Sequence, residues 1–257
     1  MILIAQLSDV HFDTRARNAE RTDRVLAYLA HLPRRPDAVL VTGDIADRGR
    51  PAEYDQARTS FAGDLPLWFL PGNHDDRAAL RAGLLDEPPS GAPLNRAVEL
   101  PGVTIALLDS TVPGESAGLL AEETYAWLEV LLATTPESNR VVLAMHHPPM
   151  PMYHTVCDGI RLANPERLER IIEGDPRILA TLTGHLHMAA TTLFGGRPFT
   201  VAPSVASQIG NSWDDALDFP IDYAPDPSVL LHIVDGPRFT SVLHTVAMGG
   251  RIPVLPS

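Results

Sequence analysis

The chain contains no lysine: all 20 of its basic residues are arginine, set against 32 acidic ones, for a formal net charge of −12. The missing lysine excludes a phosphate-binding P-loop, whose fingerprint requires one, and Schiff-base chemistry through a lysine amine. The acidic balance argues against a broad nucleic-acid surface, which needs clustered positive charge. Cysteine is nearly absent as well. Cys157 stands alone, which excludes an intrachain disulfide and any cysteine-cluster metal site. Nowhere do about eighteen apolar residues run together, so no membrane-spanning helix is expected. The short apolar run Ile2–Leu7 has no basic segment before it and gives way to Asp9 and His11, unlike a signal peptide. A cytoplasmic protein is the expectation. Which ligand so acidic a chain would bind is the question left open.

What is present is enough for a full core: 257 residues, 45% of them hydrophobic. Ile2–Leu7, Ala38–Thr42, Leu65–Leu70 and Arg140–Met145 read as buried strands. Val25, Leu26, Leu29 and Leu32 mark one helical face between the first two, and Tyr54, Ala57 and Phe61 mark a weaker one within 52–62. Pro101-Gly102 separates Ala97–Leu100 from Val103–Leu108 as a hairpin. A helix over Glu122–Ala133 carries acidic residues at its start. Asn164-Pro165 is read as cap and first helical residue of another helix, ending near Gly174. Strands follow at Ile178–Thr183, Thr191–Phe194, Phe199–Ala202, Val229–Val234 and Phe239–Val246. The order β-α-β-α-β, then mostly β, fits an α/β chain with two packed sheets under helical layers. No composition shift marks a boundary, so 1–257 is read as one domain. Two stretches, 148–163 and 208–228, fit neither strand nor helix and are read as lid-like loops.

The strand ends carry the chemistry. They read Asp9-Val10-His11, Gly43-Asp44, Gly72-Asn73-His74-Asp75, His146-His147 and Gly184-His185-Leu186-His187. Residues just past strand carboxyl ends line one crevice in an open α/β sheet. Asp9, His11, Asp44, Asn73, His146, His185 and His187 exceed what one divalent ion takes from a protein; they suit two sharing a carboxylate. Mixed imidazole and carboxylate donors favour Mn, Fe, Zn or Co. Two such ions clamp the attacking and leaving oxygens of an in-line displacement. That is hydrolysis at phosphorus.

With these motifs the sequence resembles the calcineurin-like metallophosphoesterases, whose signature D-x-H, G-D, G-N-H-[DE], H and G-H-x-H stands here in order over residues 9–187. The resemblance implies a two-sheet β-sandwich flanked by helices. It implies that Asp9, His11, Asp44 and His187 hold one divalent metal ion, and that Asp44, Asn73, His146 and His185 hold the other. His74 is implied to be the catalytic histidine beside the phosphate. Within the family, G-N-H-D, G-H-L-H and His146-His147-Pro148-Pro149 are similar to class III cyclic-nucleotide phosphodiesterases and their glycerophosphodiesterase relatives. The expected substrate is a small phosphodiester, first a 3′,5′-cyclic nucleotide such as cAMP. A glycerophosphodiester or a broad diester range is the alternative, and a nuclease of the DNA-repair type a further one.

Other residues have plainer readings. His147 is structural rather than a ligand, Asp75 fixes its loop, and His31, His232 and His244 lie off the clusters. His154 is lid contact or loop filler, and Arg48 has no role carried over from the resemblance. The aspartates of 214–226 read as a solvated face. The late hairpins and 208–228 offer a possible homodimer face.

Overall fold

Strands that are apolar along their whole length need cover on both faces, and this requirement sets the layers. The computed structural model describes residues 1–210 and 221–249. In chain order the elements are β1 (Ile2–Leu7), α1 (Ala16–Ala30), β2 (Ala38–Thr42), α2 (Pro51–Ser60), β3 (Leu67–Leu70), α3 (Arg77–Leu84), β4 (Arg96–Leu100) and β5 (Val103–Leu108). There follow α4 (Glu122–Thr134), β6 (Arg140–Met145), α5 (Glu166–Gly174), β7 (Ile178–Thr183), β8 (Ala190–Phe194) and β9 (Arg197–Val201). The last are β10 (Gln208–Ile209), β11 (Ile221–Asp222), β12 (Ser228–Asp235) and β13 (Arg238–Thr245).

One sheet runs β13-β12-β1-β2-β3 and the other β4-β5-β6-β7-β9-β8. The strands β1, β2 and β3 are mutually parallel, as are β5, β6, β7 and β9. Alternation along β1 shows the layering. Ile4 packs between the sheets with Leu40, Leu70, Ile105, Val142 and Leu182. Ala5 and Leu7 face the other way, onto Val25, Leu29, Tyr54 and Ala57 of α1 and α2. On the far side, Leu143 and Val201 meet Tyr125, Leu128 and Leu132 of α4 and Leu168 and Ile172 of α5. Helix, sheet, sheet, helix is the result, as the strand order implied.

Three expectations change. Residues 208–228 are not wholly irregular: Gln208 and Ile209 pair with Asp222 and Ile221 as a small antiparallel ladder. Trp213, Asp214, Asp215 and Asp218 of that stretch lie outside the described residues. The helix α3, capped by the Asp76 carboxylate accepting from the Ala79 amide, has no counterpart in the sequence reading. It buries only Leu80, too little to show as a periodic stripe. Asn164 is not a helix cap, because its φ of 52° is left-handed; α5 is instead led in by Pro165 with no side-chain cap. The expected loop 148–163 is irregular, with one 3₁₀ turn at Cys157–Gly159. No helix among the described residues is long and apolar enough to cross a membrane.

Candidate metal centre

Parallel strands in each sheet deliver their carboxyl ends to one edge, and all five motifs meet there. The backbone is strained where they meet. Asp9 (φ 53°), His11 (43°), Asp44 (50°), His185 (73°) and His187 (51°) are all left-handed without being glycine. Each such residue costs on the order of 1–3 kcal/mol and persists only where its surroundings over-determine it. Here they do. The Asp9 and His11 amides donate to the carbonyls of Gly43 and Asp44 at 3.1 and 2.9 Å, and the Ser204 hydroxyl donates to the Asp9 carbonyl at 2.7 Å. Gly43, with φ 91°, packs so closely that a Cβ there would enter the His146 ring.

The donors form two groups around one carboxylate. In the first, His11 Nε2 lies 3.1 Å from His187 Nε2 and 3.6 Å from Asp44 Oδ2, and His187 Nε2 lies 3.5 Å from Asp9 Oδ1. In the second, His146 Nε2 lies 3.4 Å from Asp44 Oδ1, 3.2 Å from Asn73 Oδ1 and 3.2 Å from His185 Nδ1. The two oxygens of Asp44 therefore face different groups. His185 and His187 sit in the bend after β7 and serve opposite sides.

The outer ring atoms show what the centre is built to hold. His146 Nδ1 faces the Thr42 carbonyl at 2.8 Å and His185 Nε2 faces the Ile160 carbonyl at 3.1 Å. A carbonyl only accepts, so those nitrogens carry the protons. In their neutral forms the lone pairs of His146 Nε2 and His185 Nδ1 then point at each other. Two facing lone pairs beside a carboxylate call for a cation, and nitrogen-oxygen donors without thiolate fit Mn, Fe, Zn or Co. His187 is oriented in the same way by Ser207, whose Oγ is 2.9 Å from Nδ1. Such outer partners fix the tautomer and direction of a metal-binding histidine.

Charge follows the same pattern. Burial works to raise the Asp44 carboxyl, but the facing His146 and His11 imidazoles hold it well below the usual carboxylate range. Burial pushes Asp9 up to about 6 against the pull of His146. Burial would depress His146, yet the Asp44 carboxylate overrides it and lifts it to about 9. Burial and the charge on His146 push His185 down to about 3. A metal-free centre thus holds a proton on His146 that a cation must displace. His146 is raised in the folded chain above the ordinary 6.5, so its contribution is full below pH 6.5 and is lost as pH climbs through about 9. Loaded protein has no such proton to lose. The Tm gap between metal-loaded and chelator-stripped protein is therefore expected to widen from pH 6.5 to 9. Thermal scans across that window check this, and a gap that narrows would contradict it.

His74 lies beside the first group. Its amide donates to Asp44 Oδ1 at 3.0 Å and its Nε2 lies 3.9 Å from Asp44 Oδ2. Its Nδ1 meets the Asp47 carbonyl at 2.7 Å, which leaves Nε2 as the working nitrogen. Asp47 also sets its carboxylate 3.5 Å from His11 Nδ1. Asp75 fixes its loop, as read: its carboxylate accepts from the amides of Ile45, Ala46 and Gly72 and from the Tyr54 hydroxyl. It ties the Asp44 and Asn73 loops together.

Asp47-Arg48-Gly49 follows the second strand and Ser207 ends the stretch Val201–Ser207, but the sequence assigned neither Asp47 nor Ser207 a role at the centre. The carbonyls of Thr42 and Ile160 are invisible to any side-chain pattern. His147 stands nearer than its structural reading supposed. One of its ring nitrogens lies within 4.8 Å of those of His146 and His185, while Nδ1 bonds Ser110 Oγ at 2.8 Å. His154 is buried and joins the two irregular loops, meeting the Gly210 carbonyl at 3.1 Å. Arg48 is largely exposed and pairs with Asp47 at 3.5 Å. His232 is a core histidine between Ser241 and Gln6. A cavity of about 640 Å³ opens over the centre, lined by His11, Asp44, Asn73, His74, His185 and His187 among others.

Two mixed sheets flanked by helices, with imidazole and carboxylate groups gathered at one strand edge, define a metallophosphoesterase. Residues 2–189 match the model of the calcineurin-like phosphoesterase family, and the chain belongs to that family. Two divalent metal ions are the family's cofactor, and the two donor groups fit them. The chain is 39% identical over 212 residues to a cAMP/cGMP dual specificity phosphodiesterase of Mycobacterium tuberculosis, spanning 78% of this chain and 66% of that protein. It is 32% identical over 262 residues to the glycerophosphodiester phosphodiesterase GpdQ of Enterobacter lignolyticus, spanning 96% of this chain and 92% of that one. Among solved structures, yellow lupin purple acid phosphatase shares the fold at TM-score 0.69 and 12% identity, over 97% of this chain and 52% of that one. A dimetal phosphatase from Danio rerio does so at TM-score 0.62 and 16% identity, over 96% of this chain and 99% of that one.

Proposed function

We propose that the protein hydrolyses small phosphodiesters, first among them a 3′,5′-cyclic nucleotide such as cAMP, and that it does so as one domain with two bound metals. The observation that carries this is the split of Asp44: one oxygen faces His11 and the other faces His146. On this reading Asp9, His11, Asp44 and His187 hold one ion, and Asp44, Asn73, His146 and His185 hold the other. When bound, the ions supply positive charge to the phosphoryl oxygens and acidify water.

The chain's own residues do the rest. Asn73 turns Oδ1 toward His146, which leaves its amide N–H groups to donate to a phosphoryl oxygen where charge builds up. His74, with Nδ1 engaged by the Asp47 carbonyl, presents Nε2 to the cavity. As the oxygen of water bonds to phosphorus and the ester P–O bond breaks, Nε2–H of His74 gives its proton to the departing ester oxygen, so that an alcohol leaves rather than an alkoxide. A glycerophosphodiester is the second reading, favoured by the near-complete coverage of the GpdQ relative. The net charge of −12 disfavours a long polyanion such as DNA, whereas a small diester needs only the charge of the centre itself.

The test is turnover by the Mn-loaded protein on 3′,5′- and 2′,3′-cyclic nucleotides, glycerophosphodiesters, aryl mono- and diesters, and single-stranded DNA. Cyclic nucleotides are expected to give the highest kcat/KM, with chelator removing the activity and DNA left intact. No turnover on any diester would overturn the reading, and degradation of DNA would favour the nuclease.

A further inference from the structure

The cavity continues past the metal centre to a wall that the mechanism does not use. There the short β10–β11 ladder sets Ile209 opposite Ile221, and both line the cavity together with Tyr223. Tyr223 is 54% exposed, so it is not there to fill the core. Exposed aromatics are ordinary in themselves, but this one is held in place. The Arg17 guanidinium lies 4.7 Å from the ring centroid and donates to the carbonyls of Tyr223 and Ala206. One turn further along α1, Arg21 donates to the carbonyls of Val205 and Pro225. Two arginines of one helix therefore fix both the segment bearing Tyr223 and the segment bearing Ser207, which orients His187. An aromatic ring is fixed in register with the phosphate end of the same cavity.

We infer that Tyr223 is a specificity-determining residue: its ring is the surface on which the planar base of a nucleoside ester stacks while the phosphate occupies the centre. The inference rests on the phosphodiesterase reading and narrows it. Every base has a π-face, and stacking on an aromatic side chain stabilises binding whatever the base. A glycerol arm has no such face and gains nothing from the ring. Cavity volume agrees, since about 640 Å³ lies within the range for sites holding whole small molecules.

Binding separates the two ends of the cavity. Adenosine 5′-monophosphate and inorganic phosphate are titrated calorimetrically into the Mn-loaded wild type, Tyr223→Leu and Tyr223→Phe. Tyr223→Leu is expected to lose roughly tenfold in affinity for the nucleotide while phosphate affinity stays constant. Tyr223→Phe, which keeps the ring, holds the wild-type value. Unchanged nucleotide affinity in Tyr223→Leu, or phosphate affinity falling in step with it, would overturn the inference. Failure of the wild type to hydrolyse any cyclic nucleotide would instead strike the function reading, and the binding comparison would still decide the role of Tyr223.

Discussion

Replacing Asp44 with alanine is expected to empty both metal positions at once. Asp44 is 2% exposed, and its carboxylate oxygens are divided between His11 at 3.6 Å and His146 at 3.4 Å. Removing it takes a donor and a negative charge from each group, and leaves His11 facing His187, and His146 facing His185, with less to offset a cation. Partners that only orient a ligand are worth about 10–100-fold in metal affinity, so a shared direct donor is expected to cost at least roughly 100-fold at each position. Turnover should fall by a factor on the order of 10³ or more, because the electrostatic stabilisation goes with the ions. Equilibrium dialysis with metal analysis reads the first effect and diester hydrolysis the second. A variant that loses one ion and keeps the other at wild-type affinity would show that Asp44 does not bridge.

His74→Ala is expected to separate chemistry from metal binding. The ring meets His11 edge-on with centroids 4.8 Å apart, and its Nε2 stands 3.9 Å from Asp44 Oδ2 on the cavity side. Metal content should therefore match the wild type while kcat falls about 10²–10⁴-fold, the range for one positioned acid. The size of the loss should depend on the leaving group. A p-nitrophenoxide leaves without protonation, whereas a ribose alkoxide does not, so the deficit should be large on a cyclic nucleotide and small on an aryl diester. Equal deficits on both would remove the general-acid role, and loss of metal in step with activity would make His74 a ligand instead.

The parts of the fold legible in the sequence are those whose period is set by burial. β1, β2, β6 and β7 are covered on both faces and read as predominantly apolar runs, interrupted only by Gln6, Thr181 and strand-end residues. Tyr125, Leu128 and Leu132 form a stripe on α4 because one face meets the sheet. α3 was not legible, since one buried leucine makes no stripe. Nor was the β10–β11 ladder, whose strands are two residues each and gain their place by pairing rather than by pattern. The site divides in the same way. The side chains placed at the centre stand in contiguous motifs at strand ends, and all of them arrive together. What orients them is not in any motif: a serine 20 residues after His187 and two backbone carbonyls. Left-handed φ angles at five non-glycine residues are likewise a product of assembly, held by bonds between loops far apart in the chain.

The assignment of seven side chains to two ions sharing Asp44 is the central claim, and anomalous diffraction from a crystal of the Mn-loaded protein tests it most directly. The predicted difference map has two peaks per chain, one between His11, His187, Asp9 and Asp44, the other between His146, His185, Asn73 and Asp44. A single peak, or a second peak displaced onto His147 with Asp44 touching only one ion, would contradict it.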